Sequence, residues 1–243
     1  MNQHTETNES ERLETIAFDY DPSNPEEEFD YFTKRLHVEV ISPWMHGDHA
    51  LEMGCATGEL TSLMTSHATR YDVVEGSPRN VAVASERVPD ARFFTSLWED
   101  FEPVERYSDI LVVCALEHVI DPVDILRRAA AWLRPQGRVH IVVPNADSFH
   151  RQVGVEMGIL RRRDELSESD HRIGHRRVYD LDGLVGDVRR AGLVPVHWQG
   201  IFLKILSNRQ MLGWSWELIG ALHRVGQRYP AQCAELYVVA QRA

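Results

Sequence analysis

Cysteine is scarce in this chain: there are three in 243 residues, Cys55, Cys114 and Cys233, far apart and without C-x-x-C spacing. An odd, scattered set argues against a disulfide framework and against redox chemistry. The three read as small buried residues, and no metal site is indicated. No stretch approaches the roughly 18 consecutive apolar residues of a membrane span, and no basic-then-apolar leader is seen. A cytoplasmic location with no membrane partner is therefore expected. Cationic excess is also missing: 26 Lys and Arg stand against 37 Asp and Glu, a formal net charge of -11. Phosphate-backbone binding needs clustered cations, so nucleic acid is not expected as the main partner. Internal repeats and low-complexity linkers are absent. The remaining composition, 43% hydrophobic and 26% charged, is that of an ordinary globular protein. It is long enough for one large domain, as a monomer or a homodimer.

The stretch that organises the rest is Ala50 to Leu60, ALEMGCATGEL. Leu51 and Met53 read as a short apolar strand broken by Gly54, and Gly58 closes a loop before Leu60, Leu63 and Met64 begin a helical face. Glycines between a strand and a helix let backbone N–H groups approach a ligand, because no Cβ blocks the way. The loop lacks the Lys-Ser/Thr pair of a phosphate-cradling loop, and its G-x-x-x-G departs from dinucleotide spacing. Glu52, just before the first glycine, would repel a pyrophosphate and suits an ammonium. A second strand, Tyr71 to Val74, ends in Glu75. An acid about 20 residues downstream, at the next strand tip, is where a ribose diol is bound in doubly wound nucleotide sites.

Together these segments resemble the class I S-adenosylmethionine-dependent methyltransferases. The first motif is similar to Glu52-Met53-Gly54-Cys55-Ala56-Thr57-Gly58, with Ala56 in place of the usual middle glycine. Val73-Val74-Glu75-Gly76-Ser77 resembles the second motif, and Asp109 to His118 the fourth region. Leu133-Arg134-Pro135-Gln136-Gly137 resembles the turn into the fifth strand. The likeness covers roughly residues 45 to 145 and is looser beyond. It implies an α/β fold: a doubly wound, mostly parallel seven-stranded Rossmann-like sheet, with an antiparallel last strand and a helical lid insertion. It also implies S-adenosyl-L-methionine as cofactor, held by Glu52, Gly54, Cys55, Ala56, Gly58, Glu75, Gly76, Ser77, Leu97, Trp98, Glu99 and Cys114.

Residues 1–24 are polar and acidic and read as a flexible tail, with Ile16, Phe18 and Tyr20 available to tether its end. Residues 25–243 form the cofactor-binding domain. Pro25 and the acids after it start a helix whose stripe is Phe29, Phe32, Leu36 and Val40; the family's helix here lies across the cofactor cleft, which puts Phe29 or Tyr31 near ligand. Crossover helices are expected over Glu59 to His67 and Pro78 to Val88, and the third strand over Ala91 to Thr95. Trp98 reads equally well as a plain core aromatic. Ser108 to Cys114 is a nearly continuous apolar run, as a central parallel strand requires. It delivers His118 to the ligand end of the sheet. A helix from Asp121-Pro122, a fifth strand from Arg138 to Val143 and the turn Pro144-Asn145-Ala146 follow.

Residues 148–177 break the rhythm, and their seven arginines against five acids leave them net cationic in an anionic protein. Long insertions at the ligand face build lids. A cationic lid points to an anionic acceptor, with His150, Arg151 and Arg176 as substrate-binding residues. Asp180 to Ala191 is the next helix, Leu193 to His197 the sixth strand, Ser207 to Arg228 a helical stretch and Ala234 to Ala240 the last strand.

The expected activity is methyl transfer to a small acceptor, with His118, Asn145, His175 and Tyr179 as candidate catalytic residues. His118 is mildly preferred as base. A second reading keeps the cofactor but cyclises its aminobutyrate arm, releasing methylthioadenosine, with Asn145 and Tyr179 near that arm. A third is a non-catalytic cofactor-binding partner protein.

Overall fold

The computed structural model describes residues 3–19 and 25–243, with side chains from 9–17 and 32–243. Its centre is one seven-stranded sheet of order β3-β2-β1-β4-β5-β7-β6. The strands are β1 (His49–Met53), β2 (Arg70–Glu75), β3 (Arg92–Thr95), β4 (Tyr107–Val113), β5 (Leu133–Pro144), β6 (Leu193–Ile201) and β7 (Glu235–Arg242). Neighbours from β3 through β5 are parallel, whereas β7 runs antiparallel to both β5 and β6. Strand order reverses between β1 and β4, so their carboxyl ends flank the crevice where doubly wound sheets bind ligands.

Alternation along the central strands sends side chains to two faces. Leu51, Met53, Ile110 and Val112 join one apolar cluster with Ile125, Leu126 and Ala129 of α5 (Pro122–Trp132) and Leu184 and Val188 of α8 (Leu181–Arg190). Ala50, Leu111 and Val113 join the other. There they meet Leu36, Val40 and Ile41 of α2 (Pro25–Ile41), Leu60 and Met64 of α3 (Glu59–Met64), and Ile219 of α9 (Trp216–Gly226). Strands covered on both faces must be apolar throughout, which is why β4 is buried along its whole length. Helix starts are chemically explicit. Asp121 caps α5 by accepting the N–H groups of Val123 and Asp124, and Ser77 caps α4 (Pro78–Arg87) by accepting that of Asn80.

Three expectations change. Residues 3–19, read from sequence as part of a tail without regular structure, form helix α1 (Gln3–Asp19). Ile16, offered by the sequence as a tether, packs on Gly174, and Leu13 packs on Gly76. The stretch from Ser207 to Arg228 is not one helix: a short 3-10 turn, Asn208–Met211, is separated from α9 by Gly213, whose φ of +79° belongs to the left-handed region. The first crossover helix ends at Met64 and passes into a 3-10 turn. Residues 148–177 carry two short helices, α6 (Phe149–Glu156) and α7 (Glu168–Arg172). Phe29, Tyr31, Phe18 and Tyr20 lie outside the described side chains.

Candidate active site

The glycine loop follows β1 directly. Gly54 has φ of +83°, and a Cβ there would stand 2.9 Å from the Trp98 ring, so only glycine fits. Ala56 occupies the left-handed region at φ +45° without that freedom, a conformation in which its Cβ crowds the backbone. Glu75 at the tip of β2 holds the loop in place. Its Oε2 accepts the N–H of Cys55 at 3.1 Å and of Ala56 at 3.2 Å, and its Oε1 that of Ser77 at 2.9 Å. Burial pushes the Glu75 carboxyl up, and those backbone donors pull it back. Glu52 is 1% exposed, and the Tyr71 hydroxyl donates to it at 3.0 Å. Burial pushes its carboxyl up to about 7.

Helix α1 lies over this end of the sheet. Leu13 packs so closely on Gly76 that a Cβ there would sit 2.7 Å from it, with Leu97 at 3.2 Å. Ser77 Oγ donates to Glu14 at 2.5 Å. A cleft of about 930 Å³ runs between Glu11, Glu14 and Thr15 of α1 and the Gly76, Ser96 and Leu97 wall. Asp100 lines it, next to the Glu99 expected from the sequence, and both acids are exposed. Trp98 packs beneath the loop against the core, its Nε1 donating to the Val74 carbonyl at 3.3 Å. Cys55 is buried, and Cys114, at φ +49°, donates its thiol to Glu235 at 3.6 Å.

Beyond β4, the chain turns through Leu116-Glu117-His118 and is gripped by residues 175–177. The Arg176 N–H donates to the Glu117 carbonyl at 2.9 Å, and its Nε to the His118 carbonyl at 2.8 Å. Arg177 donates to the carbonyls of Leu116, Val119 and Ile120. This clamp brings His175 against His118, ring centroids 4.7 Å apart and nearly perpendicular. Asp170 accepts from His175 Nδ1 at 3.0 Å. Burial opposes its charge, yet the His175 and Ser167 hydrogen bonds and the Arg151 guanidinium hold its carboxyl well below the usual range. Glu117 is fully buried, and burial pushes its carboxyl up to about 7. Burial likewise pushes the His118 imidazole down to about 3, aided by the charges of His175 and Arg12.

Of the four candidate catalytic residues, two are brought together and two are not. Asn145 is 1% exposed, its amide donating to the carbonyls of Ala231 and Cys233 and its oxygen accepting from Asp147 N. Tyr179 belongs to the core, its hydroxyl donating to Asp187 at 3.0 Å. The Asn145 side chain ties the end of β5 to the approach to β7, and the Tyr179 hydroxyl is spent on α8. Arg151 is buried and spent on Asp170 and the carbonyls of Arg163 and Glu165. Arg176 pairs with Glu9 of α1 at 2.8 Å, and burial lowers the pKa of the His150 imidazole. Arg161, Arg162 and Arg163 pair with Glu165, Asp164 and Asp147. Six of the seven arginines of this segment are thus held by acids or carbonyls, and the seventh, Arg172, is exposed. Sequence reasoning passed over Asp170 and Glu117; the only local signal was the Ser167-x-x-Asp170 capping box that starts α7.

A family described as "Methyltransferase domain" matches residues 14–197 of this chain. The chain belongs to this methyltransferase family. S-adenosylmethionine is the methyl donor, as the four motifs implied. Trans-aconitate 2-methyltransferase of Escherichia coli is 24% identical over 115 residues, 46% of either chain, so the methyltransferase spans about half the length of that relative. Ubiquinone biosynthesis O-methyltransferase of Cereibacter sphaeroides is 28% identical over 204 residues, 78% of this chain and 77% of the relative. Among solved structures, N-methyltransferase NodS from Bradyrhizobium japonicum WM9, in complex with S-adenosyl-L-homocysteine, aligns with a TM-score of 0.55 at 15% identity, covering 90% of this chain and 89% of that one. The fold is shared; its name does not transfer an acceptor. Among the described residues, no helix is long and apolar enough to cross a membrane.

Proposed function

We propose that this methyltransferase methylates a hydroxyl oxygen of a small molecule, with the acceptor docked against Glu117, His118 and His175. The observation that carries this reading is the cluster itself. Three side chains rich in lone pairs converge beyond the carboxyl end of β4, beside the crevice that strand order defines. The O-methyltransferase relative matched over most of both chains supports oxygen as the atom methylated.

In this reading the Gly54–Gly58 loop and Glu75 hold the cofactor. The loop's glycine geometry leaves room for close backbone approach, and Glu75 stands immediately beneath it. Leu97 and Asp100 border the cleft that would take the adenosine end. The cofactor supplies an electrophilic methyl on a sulfonium, so the chain's own work is positioning. An anionic acceptor loses its support from the paired arginines. The arm-cyclising reaction loses the Tyr179 face that favoured it, since that ring is buried in the core.

The test is incubation of the purified chain with S-adenosylmethionine alone and with pooled hydroxylated metabolites, reading the nucleoside and methylated products by mass. S-adenosylhomocysteine together with a methyl ether is the expected result. Methylthioadenosine from the cofactor alone, or a product methylated on nitrogen or carbon, would overturn the reading.

A further inference from the structure

Glu117 is anomalous. It is 0% exposed, and neither carboxylate oxygen has a hydrogen-bond partner among the described residues. A buried carboxylate left without donors is among the costlier arrangements in a protein interior. The ion-pairing nitrogen that faces it is His175 Nε2, 3.8 Å from Oε1, too far for a hydrogen bond. An imidazolium bridging two carboxylates would close that gap, as His175 Nδ1 has closed its own to Asp170 at 3.0 Å.

The separation fits another arrangement. Two donor atoms each about 2.1 Å from a common tetrahedral ion stand roughly 3.4 Å apart. One ligand atom from each of Glu117, His118 and His175 lies within 4.8 Å of the others, so shifts of under an ångström would close the set. The tautomer is also prepared. Asp170 accepts a hydrogen bond from His175 Nδ1–H, which in the neutral imidazole leaves the Nε2 lone pair toward Glu117. Asp170 is itself fixed by Ser167 N at 2.8 Å, Ser167 Oγ at 2.7 Å and Arg151 at 3.2 Å. A carboxylate orienting a histidine that faces a further carboxylate is the outer support typical of metal sites. The neighbouring cations are occupied: Arg12 with Glu9 and the Gly174 carbonyl, Arg176 with Glu9 and the His118 carbonyl.

We propose that Glu117, His118 and His175 bind a first-row transition-metal dication, with Asp170 as a positioning residue for His175. Two imidazoles and a carboxylate suit zinc, manganese or cobalt rather than calcium. Three protein ligands leave a coordination position open, as catalytic sites do. Resting on the function proposed above, that open position holds the acceptor hydroxyl and makes its oxygen more acidic. No sequence spacing announced the site: Glu117 and His118 lie 57 or more residues from His175 and meet it only through the clamp of residues 175–177.

The experiment titrates Co²⁺ into the untagged, chelator-treated full chain without cofactor or acceptor and reads the visible d–d absorption, followed by displacement with Zn²⁺. One equivalent bound, displaced by Zn²⁺, is expected. Glu117→Gln and His175→Gln should abolish the bands, and Asp170→Asn should weaken affinity about 10- to 100-fold. His67→Gln, at an exposed histidine outside the cluster, should bind as the native chain does. S-adenosylmethionine affinity and the circular dichroism spectrum of each variant report whether the fold survives; a second substitution, His118→Gln, serves if Glu117→Gln does not fold. No stoichiometric Co²⁺ binding would overturn the proposal, as would equal binding by Glu117→Gln and His175→Gln. So would a thiolate charge-transfer band lost in Cys114→Ser, which would put the ion at the His37–Cys114–Glu235 group instead. Because metal is read without methyl transfer, a failed metal site and a wrong acceptor are separate results.

Discussion

Ala56 and Glu75 show how much of a loop's energetics rests on single residues. Ala56 holds a backbone conformation that costs an L-residue about 1–2 kcal/mol. Ala56→Gly should therefore raise stability by up to about 1 kcal/mol, part of the relief being lost to the added freedom of the unfolded chain. Urea denaturation would show it as an increased midpoint with an unchanged slope. Glu75→Ala removes the acceptor of three backbone N–H groups. S-adenosylmethionine affinity should fall at least about tenfold while far-UV circular dichroism is preserved; unchanged affinity in calorimetry would move the cofactor elsewhere. Glu52 makes a pH prediction. Its folded-state pKa, about 7, lies above the ordinary 4.5 of the unfolded chain, because burial disfavours the charge. The contribution to stability is therefore full below 4.5 and lost as pH rises through 7, a change of about 3 kcal/mol for this group. Glu117 adds a share of the same sign. Glu52→Gln should flatten stability between pH 5 and 8 by roughly the Glu52 share, measured by denaturant unfolding across pH.

At the scale of elements, α1 has a role its composition conceals. Its Leu13 covers Gly76, Glu14 bonds Ser77, and Glu9 and Arg12 reach Arg176 and Gly174. One helix thus bridges the cleft wall beside β2 and the segment that presents His175. Deleting residues 1–19 should weaken S-adenosylmethionine binding about tenfold, equivalent to roughly 1.4 kcal/mol, with little change in the melting temperature. Calorimetry showing equal or tighter binding would mean that α1 does not grip the cofactor. The clamp from residues 175–177 onto Leu116 to Ile120 works the same way: backbone carbonyls at a strand tip have no ladder partner, and arginine donors satisfy them. Arg176 was read from sequence as a substrate ligand because charge is visible there and partners are not.

Across the whole molecule, a buried polar network ties the sheet together. Asp109 on β4 accepts from His140 on β5 at 3.2 Å and from the N–H groups of His46 and Gly47, while His140 meets Tyr237 of β7 at 2.8 Å. Removing one member strands the others in a dry interior, so Asp109→Ala should cost about 3–5 kcal/mol of global stability, seen as one cooperative transition at a lower denaturant concentration. The doubly wound sheet was implied by the resemblance of its motifs, and the amino-acid sequence by itself determined where the strands and the glycine loop fall, because these follow from local periodicity and from short-range backbone chemistry. It also determined the family, through four motifs in order. The tertiary structure alone decided which chemistry-bearing side chains are free. Asn145, Tyr179 and Arg151 have the right types in the right places, but packing spends them on distant carbonyls and carboxylates. Glu117, unremarkable in sequence, is left buried without a donor, because a strand tip and a loop dozens of residues later were brought together around it. Hydrogen-bond satisfaction is a property of three-dimensional neighbours, and no pattern along a chain specifies it.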